Sequence, residues 1–570
     1  MRPTSRILGT RALLSALALA TTRAHADRVD DYVRQRMARE HIPGLSLVVV
    51  QKGKIVKAKG YGLASIENHV PAAPETVYDL ASTTKPFTAT AILLLVQDGK
   101  LALDDKIGKF VENVPESWKP ITIRHLLSHT SGIPDYLADL EKDFPNDAPA
   151  DQIVKTAMAA PLKFAPGAKW SYSNTGFVVL GTIVKKVSGK TFDAMLSERV
   201  LRPLQMDSTF HATPDGIVPH RASGYLWYGG EHHNADFLKF LMTNFGDRGL
   251  LSSALDLAKW DAGLASGRVL SPSMREAMWT PTIRFDGGYS YEFAYGLGWF
   301  VKDIHGHRQI SHPGGAPGTA TILSRYPDDG LTVIILTNGG KAFVQALDLG
   351  IAKFYVPSLS VVKPLSLPPS TLAACVGYYN AYGSQLLKVS RSGKSLFLDD
   401  GGGVNNEFVP ISRESFVAEE SDRGFRIAWG AGDVVTGATL RLGKDEMAVQ
   451  RIGPHASRLK PQSDPSPELS KKVESVLMAL AQGGKTVETV VQLAPQARQD
   501  YSRGPAQELS GMRGISYLAA IDLTGRGIER HGAKVSRVLY YKLLNEGRPR
   551  FVLVYLSEGD LVTDQDVVRE

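Results

Sequence analysis

The sequence predicts an α+β chain: one antiparallel sheet built from both ends of a long first segment, with helices packed on it and a helical stretch between, then a small all-β segment and a small α+β segment. Three observations predict this. β-rich runs stand at 44–61 and again at 319–337 with helical patterning between them, so strands distant in sequence must share one sheet. Two proline-rich stretches, Pro357 through Pro364 to Pro368-Pro369 and Lys460 to Pro467, break the chain. Clustered prolines stiffen a chain and cannot donate to a sheet ladder, so both are linkers. Finally, 370–459 is strand-rich with glycine-rich turns, whereas 467–570 begins helical and ends in strands. The expected divisions are therefore 1–26, 27–360, 370–459 and 467–570.

The first 26 residues differ from the rest. Arg2, Arg6 and Arg11 precede an apolar run from Ala12 to Ala20, and Ala24-His25-Ala26 follows as a small-x-small site. This is the layout of a secretory signal peptide cut before Asp27, and it implies a periplasmic or secreted protein. The run is too short to span a bilayer, and no later stretch offers the roughly 18 continuous apolar residues that a membrane helix needs. Losing the four arginines of this segment lowers the formal net charge from +7 to +3, too weak for a nucleic-acid surface, and no basic stretch is interleaved with aromatics. The single Cys375 excludes an intramolecular disulfide and a cysteine-based zinc site.

In the first segment, Gly44 to Val50 and Ile55 to Tyr61 flank the turn Gln51-Lys52-Gly53-Lys54 as a hairpin. Helical patterns dominate from Lys85 to about Trp260. Strands return at Thr319 to Arg325 and Leu331 to Thr337, and a last helix covers about Ala342 to Tyr355. The second segment, with alternating runs such as Gln385 to Val389 and Ser395 to Leu398, fits a small barrel or sandwich. The third opens with a helix over Glu468 to Ala481 and closes with strands over Val535 to Leu543 and Phe551 to Ser557, joined by Asn545-Glu546-Gly547.

Chemistry concentrates at Ser82-Thr83-Thr84-Lys85, ahead of the apolar run Ala89 to Gln97. Residues i and i+3 share a helix face, so the Lys85 amine reaches the Ser82 hydroxyl. A serine is a poor nucleophile until a base takes its proton, and burial near positive potential makes lysine such a base. The helix N-terminus supplies that potential and N–H groups for an oxyanion. Ser-x-x-Lys recurs at Ser360…Lys363 and Ser457…Lys460 without a helix behind it, so context carries the assignment. Tyr172-Ser173-Asn174 precedes an apolar helix from Phe177, and His312-Pro313-Gly314-Gly315 precedes the Thr319 strand. A tyrosine near Lys85 can relay protons, an asparagine can hold a substrate amide, and a glycine-rich strand edge admits a substrate backbone.

In this order and context, the three elements resemble the penicillin-recognising serine hydrolases, which comprise class C β-lactamases, D,D-peptidases, D-aminopeptidases and related esterases. The resemblance covers about 40–355 and extends to Ile121 through His125, His129 and Gly132 to Pro134, to Gly249 through Ala254 with Asp256-Leu257-Ala258, and to Tyr295-Gly296-Leu297-Gly298-Trp299. It implies a serine β-lactamase-like fold with an all-helical subdomain, a Ser82 acyl-enzyme, Lys85 as base and Tyr172 as proton shuttle. It further implies substrate contacts from Asn174, His312, Gly314 and Gly315, with an oxyanion hole at the N–H groups of Ser82 and Gly315. The expected substrate is a small molecule or peptide: a D-amino-acid peptide, a β-lactam or a short ester. No metal or cofactor is expected. The two C-terminal segments resemble accessory domains of this family, a lipocalin-like β-domain and a cone-shaped α+β domain.

Departures from the pattern bear on substrate. The family's third motif carries lysine or histidine followed by threonine and glycine, and here Pro313 offers neither hydroxyl nor N–H. Thr319 and Thr321 are candidates to replace that hydroxyl. The alternative to an enzyme is a penicillin-binding-like receptor that keeps the fold without turnover. Elsewhere, His305-Gly306-His307 and His232-His233 lack a third ligand at a recognisable spacing and are loop histidines. His125 and His129 suit a helix-end structural role, Asp256 and Lys259 suit a solvated helix face, and Asp215 to Asn244, with Tyr225, Trp227 and Tyr228, suits either an overhang of the site or a surface excursion.

Overall fold

Strands from both ends of the first segment do pair in one sheet. The computed structural model describes residues 28–139, 149–211, 216–228, 230–235, 246–285, 293–360, 362–381, 385–399, 405–418, 423–442, 445–460, 462–483, 485–501, 506–544 and 550–569. The signal-peptide segment 1–26 and the turn Asn545-Glu546-Gly547 lie outside these residues, as does 236–244 of the expected excursion. The chain divides into two compact units, Met1–Val361 and Val362–Glu570.

In the first unit, helix α1 covers 28–40. Strands β1 (Gly44–Gln51) and β2 (Lys54–Ser65) form the expected hairpin. Strand β3 (Val77–Asp79) leads through a tight turn, Ala81–Thr84, into helix α2 (Lys85–Gln97). Helix α3 (Asn174–Ser188), strand β4 (Leu250–Ser253) and helix α4 (Ala254–Ala265) follow. Strands β5 (Phe300–Ile304), β6 (His307–Ala316), β7 (Thr319–Tyr326) and β8 (Leu331–Thr337) precede helix α5 (Val344–Tyr355). The antiparallel sheet runs Val70–Pro71, β2, β1, β8, β7, β6, β5, Phe293–Tyr295, Ile283–Phe285. Leu45 lies opposite Thr337 and Val49 opposite Val333, which closes the two ends of the segment on each other.

Alternation along β1 feeds two cores. Leu45, Leu47 and Val49 pack with Val29 and Val33 of α1 and Leu347 and Ile351 of α5, while Val48 and Val50 join the larger core containing α2 and α3. A sheet covered on both faces explains why β1 reads as one continuous apolar run.

Two expectations need correction here. The stretch read as helical from Lys85 to Trp260 also holds β4, which pairs with β3 and with Phe210–His211 in a small sheet. Asp256 is not on a solvated face: it is buried and accepts from the Ser208 N–H and the Thr209 hydroxyl, while Lys259 is exposed as expected and donates to Asp256. Of the expected excursion, the described part includes a hairpin, Tyr225–Tyr228 with Glu231–Asn234. Trp227 stacks on His41 and the Tyr225 hydroxyl receives the Ile66 N–H, so both aromatics serve packing against the β1–β2 region.

The second unit holds a closed eight-stranded antiparallel barrel over Gly377–Gly453, whose first strand, Gly377–Asn380, pairs with both the second and the last. A helix, Pro467–Gln482, then packs on a four-stranded sheet through Val473, Leu477, Val552 and Val554. The other face of that sheet shares a core with barrel residues Tyr378 and Ile452.

Candidate active site

The site forms where α2 begins. Ala81 takes a positive φ of 47°, a costly conformation for a residue with a Cβ, and the surrounding bonds hold it there. The Asp79 carboxylate accepts the Ala81 N–H at 2.8 Å, the Leu80 N–H reaches Leu250 O at 2.9 Å, and the Leu250 N–H returns to the Thr84 hydroxyl at 3.3 Å. This turn leaves Ser82 partly exposed while Thr83, Thr84 and Lys85 are wholly enclosed.

Lys85 Nζ lies 3.1 Å from Ser82 Oγ, 2.7 Å from Asn174 Oδ1 and 2.9 Å from the Asp247 carbonyl. The latter two oxygens only accept. They fix two N–H groups of a neutral amine and leave its lone pair facing Ser82, the one neighbour of the three with a proton to give. Burial pushes the Lys85 amine down to about 7; Asp247 and Asp135 oppose this and Arg248 favours it.

Asn174 is itself oriented. Its Nδ2 donates to Asp135 Oδ2 at 2.9 Å and Oδ1 at 3.2 Å, and since a carboxylate only accepts, the amide oxygen must face Lys85. At most one N–H of this amide is left for a substrate. Burial raises the Asp135 carboxyl above its usual range.

Tyr172 stands beside Ser82, which influences its phenol, and Lys85 Nζ sits 4.8 Å from its ring centroid. Burial raises its phenol, with the nearby Ser82 hydroxyl opposing, so it is protonated at neutral pH. Behind it lies His129, with ring centroids 4.3 Å apart. His129 O and Nδ1 receive the N–H groups of Ser171 and Ser173, which brace the Tyr172 backbone on both sides. The helix-end role expected of His129 thus extends to holding Tyr172.

Strand β6 supplies the opposite wall. β5 stops pairing at Phe300 opposite Ser311, so His312–Ala316 is a one-sided edge, and Pro313 there deletes no bond to β5. A Cβ on Gly314 would lie 2.1 Å from Leu80 O and 2.5 Å from Thr321 Oγ1; only glycine lets this strand press against the Ser82 turn. Gly315 is exposed, and a Cβ there would meet nothing within 4 Å.

His312 is buried and neutral. Its Nδ1 faces Pro313 O at 2.7 Å and must carry the proton, so Nε2 accepts from the Tyr295 hydroxyl at 3.0 Å. Burial, helped by Lys85, pushes it down to about 3. The threonines expected to stand in at the third motif do not. Thr321 bonds Leu80 O and the Thr83 hydroxyl, and Thr319 bonds Asp79 O and Thr337 O, all as buried ties that fasten the sheet to the Ser82 turn and to β8.

The seven residues singled out from sequence, Ser82, Lys85, Tyr172, Asn174, His312, Gly314 and Gly315, therefore converge around this turn. Sequence reading missed Asp135, Tyr136, Asp247 and Arg248, and gave Tyr295 no role. Asp135 directly follows Ile133-Pro134, and Asp247-Arg248 directly precede Gly249-Leu250, so proximity to matched stretches was the available signal. Among the described residues no group of three His, Cys, Asp or Glu is gathered as for a metal ion.

An antiparallel sheet flanked by helices, with this turn packed against a glycine-bearing strand, is the architecture of the penicillin-recognising serine hydrolases. The Beta-lactamase family matches residues 29–354, and the chain belongs to it. Penicillin-binding protein 4* of Bacillus subtilis (strain 168) is 27% identical over 410 residues, which span 67% of this chain and 89% of that protein. A D-amino acid amidase from Ochrobactrum anthropi SV3, solved with L-phenylalanine amide, superposes with a TM-score of 0.50 at 25% identity, covering 59% of this chain and 97% of that one. The octameric penicillin-binding protein homologue from Pyrococcus abyssi shares the fold, with a TM-score of 0.57 at 23% identity over 75% of this chain and 100% of that one.

Proposed function

We propose that the protein hydrolyses amide or ester bonds through an acyl-enzyme on Ser82. The observation that carries this reading is the Lys85 amine 3.1 Å from Ser82 Oγ, buried and brought down to about 7, so that much of it is neutral at physiological pH. Lys85 takes the Ser82 proton as Oγ attacks the carbonyl carbon. The developing oxyanion is held by the backbone N–H groups of Ser82 and Gly315. Tyr172, neutral and close to Ser82, passes a proton to the departing amine or alcohol, and then helps Lys85 activate the water that frees the acyl group. Asn174 and Asp135 keep the Lys85 lone pair aimed at Ser82.

Likeness to an amidase acting in the D-amino-acid class supports D-amino-acid amides and peptides, together with short esters, as substrates. β-Lactams are poorer ones. Neutral His312 and Pro313 offer their carboxylate neither a cation nor a hydroxyl, and a missing hydrogen bond to a charged group costs about 1.5–3 kcal/mol. The arginine-led first 26 residues, with the layout of a secretory signal, support an activity outside the cytoplasm.

The test is labelling by a fluorophosphonate probe and turnover of a p-nitrophenyl ester, a D-amino-acid amide and a chromogenic cephalosporin. Ester and amide turnover that vanishes in Ser82→Ala, with slow cephalosporin turnover, is expected. Labelling by a penicillin without turnover of any of the three would instead make the protein a receptor.

A further inference from the structure

We propose that Arg248 is the substrate-reading cation of this site, binding a carboxylate carried on the acyl portion of the substrate. The inference rests on the serine-hydrolase reading above and names a substrate class within it.

The segment bearing Arg248 is clipped to the nucleophile's helix at several points. The Thr88 hydroxyl donates to Gly246 O at 2.5 Å, Lys85 Nζ donates to Asp247 O at 2.9 Å, and the Leu250 N–H reaches Thr84 Oγ1 at 3.3 Å. Gly246 and Gly249, with φ of 90° and 100°, let the chain turn in and out around this contact. The Asp247 side chain points inward, wholly buried, and accepts from the Tyr136 hydroxyl and from Arg248 Nε, each at 3.0 Å. The guanidinium carbon lies 5.7 Å from the centroid of the Tyr136 ring.

One edge of the guanidinium is therefore fixed by a buried carboxylate and it sits against an aromatic ring. Its other edge is free. Among the described residues neither Nη has a hydrogen-bond partner, and neither belongs to the enclosed polar atoms left unpaired, so both reach solvent although the side chain is only 16% exposed. Burial opposes the charge, yet Asp247 and Tyr136 hold the pKa above its ordinary value. A guanidinium held by Nε presents two parallel N–H groups in the spacing of a carboxylate.

Among the described residues the rest of the site offers no competitor. Lys85 has its contacts filled by Ser82, Asn174 and Asp247; His312 is neutral with both ring nitrogens engaged; Thr319 and Thr321 are tied into the sheet. A surface ion pair between neighbours in sequence would need none of this enclosure. The arrangement instead keeps a largely enclosed cation near Lys85 and Tyr172, where a charge-assisted bidentate contact is strong.

The experiment compares p-nitrophenyl hemisuccinate and hemiglutarate with their neutral methyl-ester counterparts, in the full-length protein and in Arg248→Gln. The ratio of kcat/KM for charged over neutral acyl chains should be about tenfold or more and collapse toward one in the variant, mainly through KM. Because Arg248 also lowers the Lys85 pKa, both substrates are assayed across pH and only the ratio is read. Calorimetric binding of the same esters to Ser82→Ala, with and without Arg248→Gln, gives a readout that needs no turnover. There the charged ester should bind about tenfold more weakly once Arg248 is lost. An unchanged ratio, or equal weakening of charged and neutral esters in the binding experiment, overturns the proposal. Failure of the hydrolase reading shows separately, as wild-type protein that turns over neither ester whatever its binding preference.

Discussion

Lys85 in the first unit and His531 in the second are both cations set inside the protein, and they are driven in opposite directions. Burial brings the Lys85 amine down to about 7. Hydrogen bonding to Asp564 and Asp500 takes the His531 imidazole up to about 9. The surroundings explain the difference. The nearest polar atoms to Lys85 Nζ are an amide oxygen, a peptide carbonyl and a hydroxyl, and its carboxylates Asp135 and Asp247 act from one residue further away, with Arg248 working against them. His531 Nδ1 is 2.7 Å from Asp500 Oδ2 and its Nε2 is 3.4 Å from Asp564 Oδ1, in a cluster where Arg530 also bonds Asp564 and Asp566 and reaches Asn380 of the barrel. A cation under-compensated by its neighbours gives up its proton near neutrality and can act as a base. One held directly by carboxylates keeps it and acts as a tie between the helix Pro495–Tyr501 and the sheet strand Val562–Arg569.

Removing the under-compensated cation should have the largest effect. Lys85→Met is expected to lower the acylation rate about a hundred- to ten-thousandfold, read as the rate of probe labelling, while the fold persists by circular dichroism. A variant that labels at the wild-type rate would show that another group takes the Ser82 proton.

Next comes Asp135→Asn, which keeps an acceptor for Asn174 but removes one of the charges that support protonated Lys85. In the wild type kcat/KM should rise with pH and level off above about 7, because the amine must be neutral to act. In the variant this acid limb should move to lower pH, with less than about tenfold change on the plateau. A limb that stays in place would mean Asp135 does not contribute to the Lys85 environment.

The smallest effect belongs to His531→Gln. A folded-state pKa raised from 6.5 to about 9 contributes stability that is full below 6.5 and is lost as pH rises through 9. The second unit should therefore melt lower at pH 9 than at pH 6. The substitution should flatten that dependence by an amount on the order of 1 kcal/mol, after allowing for the part of the ring that solvent screens. Equal pH dependence in both proteins would remove His531 from the tie.

The two regions were not equally readable. Around Ser82, chemistry demands particular side chains at short spacing, and Ser82, Lys85, Tyr172 and Asn174 stand in two compact motifs. The hairpin of β1 and β2 and the strands β7 and β8 were legible because β-rich runs are separated by clear turns. β6 was harder: Pro313, Gly314 and Gly315 are poor strand formers, and they are tolerated because this stretch outlasts β5 and must approach the Ser82 turn closely. The Arg530 cluster carries no sequence signature, since Arg530, Asp500, Asp564 and Asn380 come together only through the folding of the second unit.

By itself the sequence laid out the main strand runs, the proline-rich stretches between segments, and a serine with a lysine three residues on, because helical spacing alone brings i and i+3 together. Tertiary structure decided how that pair is tuned. Asp135, Asp247, Arg248, Tyr295 and His129 reach the site from separate loops and strands. Only their assembled distances set which way Lys85 points its lone pair, that His312 is neutral, and that Thr319 and Thr321 are spent inside the sheet. Proton affinity and hydrogen-bond direction depend on the dielectric and on partners a few ångströms away, and neither is a property of residues neighbouring in sequence.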